Sequence, residues 1–169
     1  MIDNITLTRI EAIHPALKDE LTKIYREIVA ALPGNVGCRF VQVFRTFEEQ
    51  DALYAQGRTK PGAIITKAKG GQSYHNYGLA VDFCLLNDKN RDGKISGDEI
   101  VWDRNIDLDK DSIIDWMEVV KVFTNHGWTW GASFKDYPHF EKNFGQNWRK
   151  LLIKYQNKDF IPGTKYVNL

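Results

Sequence analysis

Apolar side chains recur at Leu17, Leu21, Ile24, Ile28 and Leu32, three to four positions apart within residues 15–32. That period puts them on one face of an amphipathic helix, with Pro15 suited to its first turn and Gly34 just past its end. The pattern then changes. Residues 38–45 (CRFVQVFR) are β-branched and aromatic and predict a strand, and residues 47–56 predict a short helix stopped by Gly57. Residues 57–78 hold Pro61 and five glycines and read mostly as loop. Residues 79–86 (LAVDFCLL) are almost wholly apolar, which fits a central strand buried on both faces. Helix is expected again at 115–126 and 147–155, with short strands and a turn at 127–141. The stretch 156–169 carries little pattern.

Asp82 breaks the apolar strand, and a carboxylate there is costly unless it is paired or ligates a metal. Seven residues earlier His75 stands in the turn leading into the strand, and Gly78 permits a sharp entry. Far downstream, in Asp136-Tyr137-Pro138-His139-Phe140-Glu141, His139 is placed to open a strand that pairs beside the first. His75, Asp82 and His139 make a three-ligand zinc set with an open fourth position for water. A metal so held lowers the pKa of its water toward about 7 and polarises a carbonyl. Asp136, three residues before His139, is placed to take a proton from the attacking water and pass it to a leaving amine.

The spacing Ser73-x-His75-x-x-Gly78-x-Ala80-x-Asp82, followed by Asp136-x-Pro138-His139-Phe140-Glu141, resembles the zinc peptidases of the D-Ala-D-Ala metallopeptidase group. That group includes VanY-type carboxypeptidases, VanX-type dipeptidases and L-alanyl-D-glutamate endopeptidases. Phe44-Arg45-Thr46, Gln50, Leu53 to Thr59 and Trp128-Thr129-Trp130-Gly131 look like its CwlK-type and phage endolysin branch. The resemblance runs from about Pro15 to Glu141. It implies an α+β fold, helices flanking a small antiparallel sheet that carries the zinc site, as in D-Ala-D-Ala peptidases and the related Hedgehog signalling domain. It implies zinc on His75, Asp82 and His139, Asp136 as catalytic base, and Arg45 as oxyanion stabiliser or carboxylate binder, a structural salt bridge being the alternative. Ser73 and Gln50 would line the cleft. Trp130 would floor it or sit in the core. His14 and His126 fall outside the motif and are not expected to ligate.

Charge adds a second chemistry. The whole chain is close to neutral at +1, yet residues 88–118 hold ten acids against five bases, leaving the remainder at +6. Asp88, Asn90, Asp92, Gly93, Lys94, Ile95 and Glu99 match positions 1, 3, 5, 6, 7, 8 and 12 of an EF-hand calcium loop. Asp107, Asp109, Asp111, Ile114, Asp115 and Glu118 repeat positions 1, 3, 5, 8, 9 and 12, with Ser112 where the sharp turn wants glycine. Only residues 100–106 separate the loops, so a standard helix-flanked pair does not fit. The expectation is one peptidase domain over 1–169 with an EF-hand-like insertion at 87–119 that takes one or two calcium ions. Because Asp88 follows Asp82 by six residues, an ordered loop would steady the metal-bearing strand.

A length of 169 residues suits one domain, and a hydrophobic fraction of 43% supports a real core. No run of about 18 apolar residues occurs, so no membrane span is expected. No basic run interleaved with aromatics points to nucleic acid. Cys38 and Cys84 read as buried thiols. The first function class is therefore a zinc peptidase acting on peptidoglycan stem peptides, at the L-Ala–D-Glu bond by branch resemblance or at D-Ala-D-Ala, as a monomer. The basic body suits an anionic substrate. A non-catalytic zinc- and calcium-binding module, and a calcium sensor, are the alternatives from other classes. No secretory signal is visible in residues 1–14, so a wall-acting enzyme would be phage-encoded and released by a holin, or trimmed of its signal.

Overall fold

A computed structural model describes residues 1–169. The elements run α1 (Asn4–Ile10), α2 (Lys18–Ala31), β1 (Val36–Gln42), α3 (Phe47–Ala55), β2 (Ala80–Asn87), β3 (Ile100–Val101), α4 (Asp115–Asn125), β4 (Thr129–Trp130), β5 (His139–Glu141) and α5 (Trp148–Gln156). The strands form one antiparallel sheet in the order β1-β2-β5-β4, with β3 also on β2. This is the expected α+β architecture, and β2 is its central strand.

Side-chain alternation along β2 and β5 divides the sheet into two faces. Val81, Phe83, Leu85 and Phe140 belong to the hydrophobic core together with Leu21, Ile24 and Ile28 of α2 and Val119 and Phe123 of α4. The centre of that core is aromatic. Phe123 stacks on Phe140 with centroids 4.3 Å apart, Phe83 meets Trp116 at 4.3 Å, and Phe40 meets Tyr25 at 5.4 Å. Each such pair adds about 1 kcal/mol beyond the area it buries. The alternate residues, Ala80, Asp82, His139 and Glu141, point to the opposite face, where the polar chemistry gathers.

Two terminal segments have structure that the pattern does not announce. Helix α1 is only seven residues long and rich in β-branched side chains, so its own propensity is weak. It is held by its N-cap: Asp3 Oδ2 accepts from the Thr6 amide at 2.9 Å and from the Thr6 hydroxyl at 2.7 Å. The same carboxylate forms a two-pronged ion pair with Arg39 on β1, at 2.7 and 3.1 Å. At the other end, Tyr166 and Val167 are buried, and the Val167 carbonyl lies 2.9 Å from His14 Nε2. Cys38 and Cys84 are both buried and unbridged.

Candidate metal centre and cleft

Strand register brings the first two ligands together. Asp82 on β2 sits directly opposite His139 on β5, and directly opposed residues of an antiparallel pair share a face with Cβ atoms about 5 Å apart. His139 Nδ1 lies 2.9 Å from Asp82 Oδ1. The third arrives from the 3-10 turn Tyr74–Tyr77, which ends at Gly78 in the left-handed region with φ +67°. Any side chain at Gly78 would meet the His14 amide nitrogen at 2.7 Å, so the tight entry to β2 requires glycine there. The turn places His75 Nε2 at 3.2 Å from Asp82 Oδ1 and 3.3 Å from His139 Nδ1.

Three potential ligand atoms thus form a triangle with edges of 2.9, 3.2 and 3.3 Å. Ligands about 2.05 Å from a tetrahedral zinc ion would be separated by about 3.3 Å. The outer nitrogens are used as a metal site requires. His75 Nδ1 donates to the Val43 carbonyl at 3.1 Å, which leaves the Nε2 lone pair aimed inward in the neutral ring. His139 Nε2 lies 3.2 Å from Glu141 Oε2. All three residues are shielded from water, His75 and His139 most fully. The electrostatics are those of a cation site. Burial would raise the Asp82 carboxyl, but His75 and His139 hold it far below the usual carboxylate range. Burial pulls the His139 imidazole down, and its bonds to Asp82 and Glu141 outweigh that and bring it up to about 9.

These residues open into a cleft of about 550 Å³ that also exposes Arg45, Ser73 and Asp136. Arg45 follows β1, and its main chain is stapled to the His75 turn: its amide donates to the His75 carbonyl at 3.0 Å, and its own carbonyl accepts from Asn76 Nδ2 at 2.9 Å. The segment that orients His75 through Val43 therefore also delivers the guanidinium. Arg45 makes no ion pair; its side-chain hydrogen bond goes to Gln50 Oε1 at 2.8 Å. Asp136 lies on the turn between β4 and β5. Burial and the Asp82 charge raise its carboxyl above the ordinary value, against the pull of His139, His75 and Arg45. A carboxylate in the same cleft as the His75–Asp82–His139 cluster is placed for proton transfer.

A family model described as D-alanyl-D-alanine carboxypeptidase matches residues 66–142, the stretch holding His75, Asp82, Asp136 and His139. The peptidoglycan L-alanyl-D-glutamate endopeptidase CwlK of Bacillus subtilis (strain 168) is 42% identical over 132 residues, covering 76% of this chain and 72% of that protein. The chain belongs to this M15 peptidase family. The crystal structure of the Serratia marcescens L-Ala D-Glu endopeptidase ChiX has the same fold, with a TM-score of 0.52 at 18% identity over 85% of this chain and 90% of that one.

Of the residues considered for the cleft of this M15 peptidase, Gln50 does not line it, and Trp130 takes its alternative place against the core. Gln50 is fully buried. Its Nε2 donates to the Ala68 carbonyl at 2.8 Å and to Thr66 Oγ1 at 3.3 Å while Oε1 receives Arg45. It positions the guanidinium and the 66–68 wall rather than touching a substrate. Trp130 packs against the core, and its indole N–H donates to the Tyr137 carbonyl at 2.7 Å, so it braces the turn that carries Asp136. Ser73 does line the cleft. His14 and His126 lie elsewhere, the latter 2.8 Å from Glu27. Glu141 was not singled out by sequence reasoning, although its position two residues after His139 on a strand puts both on one face. Thr66 and Lys67 also join the lining, from a glycine-flanked loop whose path no sequence period encodes.

In the acidic stretch, Asp107, Asp109 and Asp115 bring carboxylate oxygens within 4.8 Å of one another, and so do Asp109, Asp111 and Glu118. The first loop wraps around Asp88, whose oxygens accept from the Asp92 and Gly93 amides at 3.1 and 2.9 Å. Glu99 turns back onto the Lys89 and Ser96 amides, at 2.9 Å each.

Proposed function

We propose that this M15 peptidase is a zinc-dependent endopeptidase that hydrolyses the L-Ala–D-Glu bond of peptidoglycan stem peptides. The observation that carries the reading is the inward-facing His75–Asp82–His139 triangle at the floor of a cleft that also presents Arg45 and Asp136. The 42% identity to CwlK supports the bond chosen. Zinc, held by His75 Nε2, Asp82 Oδ1 and His139 Nδ1, would supply Lewis-acid polarisation of the scissile carbonyl and a low-pKa water. The chain's own groups do the rest. Asp136 accepts the proton of the attacking water and returns it to the departing amine. Arg45, free of any acidic partner, stabilises the developing negative charge or holds the substrate carboxylate. Glu141 and the Val43 carbonyl fix the two imidazole rings.

D-Ala-D-Ala cleavage is the second reading, favoured by the description of the matching family model. Incubating the zinc-loaded protein and its Asp136→Ala variant with purified peptidoglycan, and identifying new ends by mass spectrometry, separates the two. Free L-Ala carboxyl ends and D-Glu amino ends, absent with the variant, are expected. Release of terminal D-Ala would transfer the protein to the carboxypeptidase reading, and no cleavage of any wall type would favour a binding module.

The first acidic loop reads as a calcium site through Asp88, Asn90, Asp92, the Lys94 carbonyl and Glu99, the last after swinging from its capping position. Calcium there would promote activity by ordering the continuation of β2. A chelator that removes calcium and spares zinc is expected to lower turnover and melting temperature together; no change in either refutes it.

A further inference from the structure

The two acidic loops share one backbone design and differ in what their carboxylates have left to bind. In each, the first-position Asp accepts from the sixth-position amide: Asp88 from Gly93 at 2.9 Å, and Asp107 from Ser112 at 3.0 Å. In each, the fifth-position Asp accepts from the seventh: Asp92 from Lys94 at 2.8 Å, and Asp111 from Ile113 at 2.7 Å. Ser112 adopts φ +77°, as Gly93 adopts +74°, so the second loop makes the sharp turn despite lacking glycine.

The contrast lies in the oxygens. The closing carboxylate of the first loop, Glu99, is occupied by the Lys89 and Ser96 amides. In the second loop Asp109 Oδ2, Asp115 Oδ1 and Glu118 Oε2 are all shut off from solvent with no hydrogen-bond partner. Asp115 is completely buried; its other oxygen accepts from the Leu108 amide at 3.0 Å, and one of its carboxylate oxygens lies within 4.8 Å of those of Asp107 and Asp109. Leaving even one such oxygen without a donor or cation is costly. Asp109 is shared by both carboxylate triads, Asp107–Asp109–Asp115 and Asp109–Asp111–Glu118, so the loop and the first turn of α4 bring their orphan-bearing side chains to adjoining positions that a cation would satisfy. The donor set is oxygen throughout, with no nitrogen or sulfur, which selects a hard divalent ion of flexible coordination.

We infer that the second loop is the better-built calcium site of the two, ligated by Asp107, Asp109, Asp111, Asp115 and Glu118, and that the ion fastens the start of α4 against the strand carrying Asp82. Asp115 and Glu118 occupy the first turn of α4. Between them Trp116, almost fully buried, packs on Phe83 with centroids 4.3 Å apart, and Phe83 is the neighbour of Asp82 on β2. Neutralising the acids at this turn removes the repulsion that works against docking of Trp116. The inference stands without the peptidase reading, because nothing in its test depends on cleavage of a substrate.

The test is a calorimetric titration of the calcium-stripped full chain with calcium chloride, repeated with terbium while exciting tryptophan. Four proteins are compared: wild type, Asp88→Asn, Asp115→Asn and Glu118→Gln. Trp116 adjoins the proposed ligands, so it should sensitise terbium emission. Asp115→Asn and Glu118→Gln are expected to weaken the tightest calcium site about tenfold or more and to remove most of the sensitised emission; Asp88→Asn should leave both. Calcium should raise the melting temperature of wild type and Asp88→Asn but not of Asp115→Asn, whose calcium-free form should melt no lower than wild type, since an orphan charge has been removed. A merely structural Asp115 would instead lower the melting temperature with and without calcium. The inference is overturned if wild type binds no calcium, if its tightest site disappears in Asp88→Asn, or if both second-loop variants titrate like wild type.

Discussion

Removing Glu141 should weaken zinc binding without touching a zinc ligand. Its Oε2 lies 3.2 Å from His139 Nε2, at the long end of a charge-assisted hydrogen bond, and its side chain is only 15% exposed, so water screens the contact weakly. Net contributions of hydrogen bonds to charged groups run at about 1.5–3 kcal/mol. Loss of the outer partner of a metal-bound histidine costs roughly 10- to 100-fold in affinity, or about 1.4–2.7 kcal/mol, and the two ranges agree. The 3.2 Å length argues for the middle of them, so Glu141→Ala should bind zinc about 30-fold more weakly. Glu141→Gln keeps an acceptor and loses only its charge, and should stay within about fivefold of wild type. Competition for zinc against a chromophoric chelator reads both constants directly. If Glu141→Ala binds zinc within about twofold of wild type, then His139 is oriented by its strand and Asp82 alone, and the argument that β5 contributes two working residues to the site is wrong.

Other perturbations follow the same geometry. Arg45→Ala should lower kcat/KM on stem peptides by about 10²- to 10³-fold and cost about 1–3 kcal/mol of stability, because the buried Gln50 Oε1 loses its donor; an activity loss no larger than that stability cost accounts for would assign Arg45 a structural role. Gln50→Ala should lower activity and also cost about 2 kcal/mol in urea unfolding, since it strips Arg45 and the Ala68 carbonyl of their partner inside the protein. Gly131→Ala should cut turnover at least tenfold, because its Cβ would collide with the Asp136 carbonyl and approach His139 Cβ to 3.0 Å, moving base and ligand together; normal turnover would mean the turn yields freely. For Asp3, burial raises the carboxyl, but Arg39 and Thr6 more than offset this and hold it below its ordinary value. Its stabilisation is therefore present above the unfolded value of about 4 and lost as pH falls through the folded one. Asp3→Asn should cost about 3 kcal/mol at pH 7 and progressively less as pH falls below about 4, and a cost that does not shrink on acidification would refute the ion-pair account.

Legibility in the sequence followed the range of each interaction. Helix α2 is readable because its period is local: Leu21, Ile24 and Ile28 need only 3.6 residues per turn to share a face. Asp82 is readable because it violates a local pattern, an apolar strand interrupted by one acid. His139 is readable from the Asp136–Glu141 motif, but its place directly opposite Asp82 is a matter of register, a long-range property that no window of sequence contains. The placing of Gln50 and Trp130 is left open for the same reason. Their residue types suit a cleft equally well, and only the path of the 66–68 wall and of the 131–138 turn decides that both face inward as supports. Helix α1 escapes because its stability comes from Arg39, thirty-six residues from its cap Asp3, rather than from its own propensity.

The central strand explains why these features belong to one molecule. Leu85 and Leu86 at the far end of β2 pair with β3, while Ala80 to Asp82 at the near end pair with β5, so the acidic loops and the His139 strand grip the same element at opposite ends. Its two faces divide the work. Asp82 contributes to the polar cluster, and Phe83 fills the core against Trp116 of α4. A displacement of α4 by even part of an ångström would act on Phe83, and a strand cannot shift Phe83 without carrying Asp82, whose oxygen must stay about 3 Å from two imidazoles to complete the triangle. An acidic segment at this point of the chain is therefore badly placed for a passive surface loop and well placed for a brace. The orphaned oxygens at the start of α4 make the same point from the electrostatic side. Left without a donor or a cation, they work against docking of the helix, and under the proposed calcium site binding of the ion would firm the strand that carries Asp82.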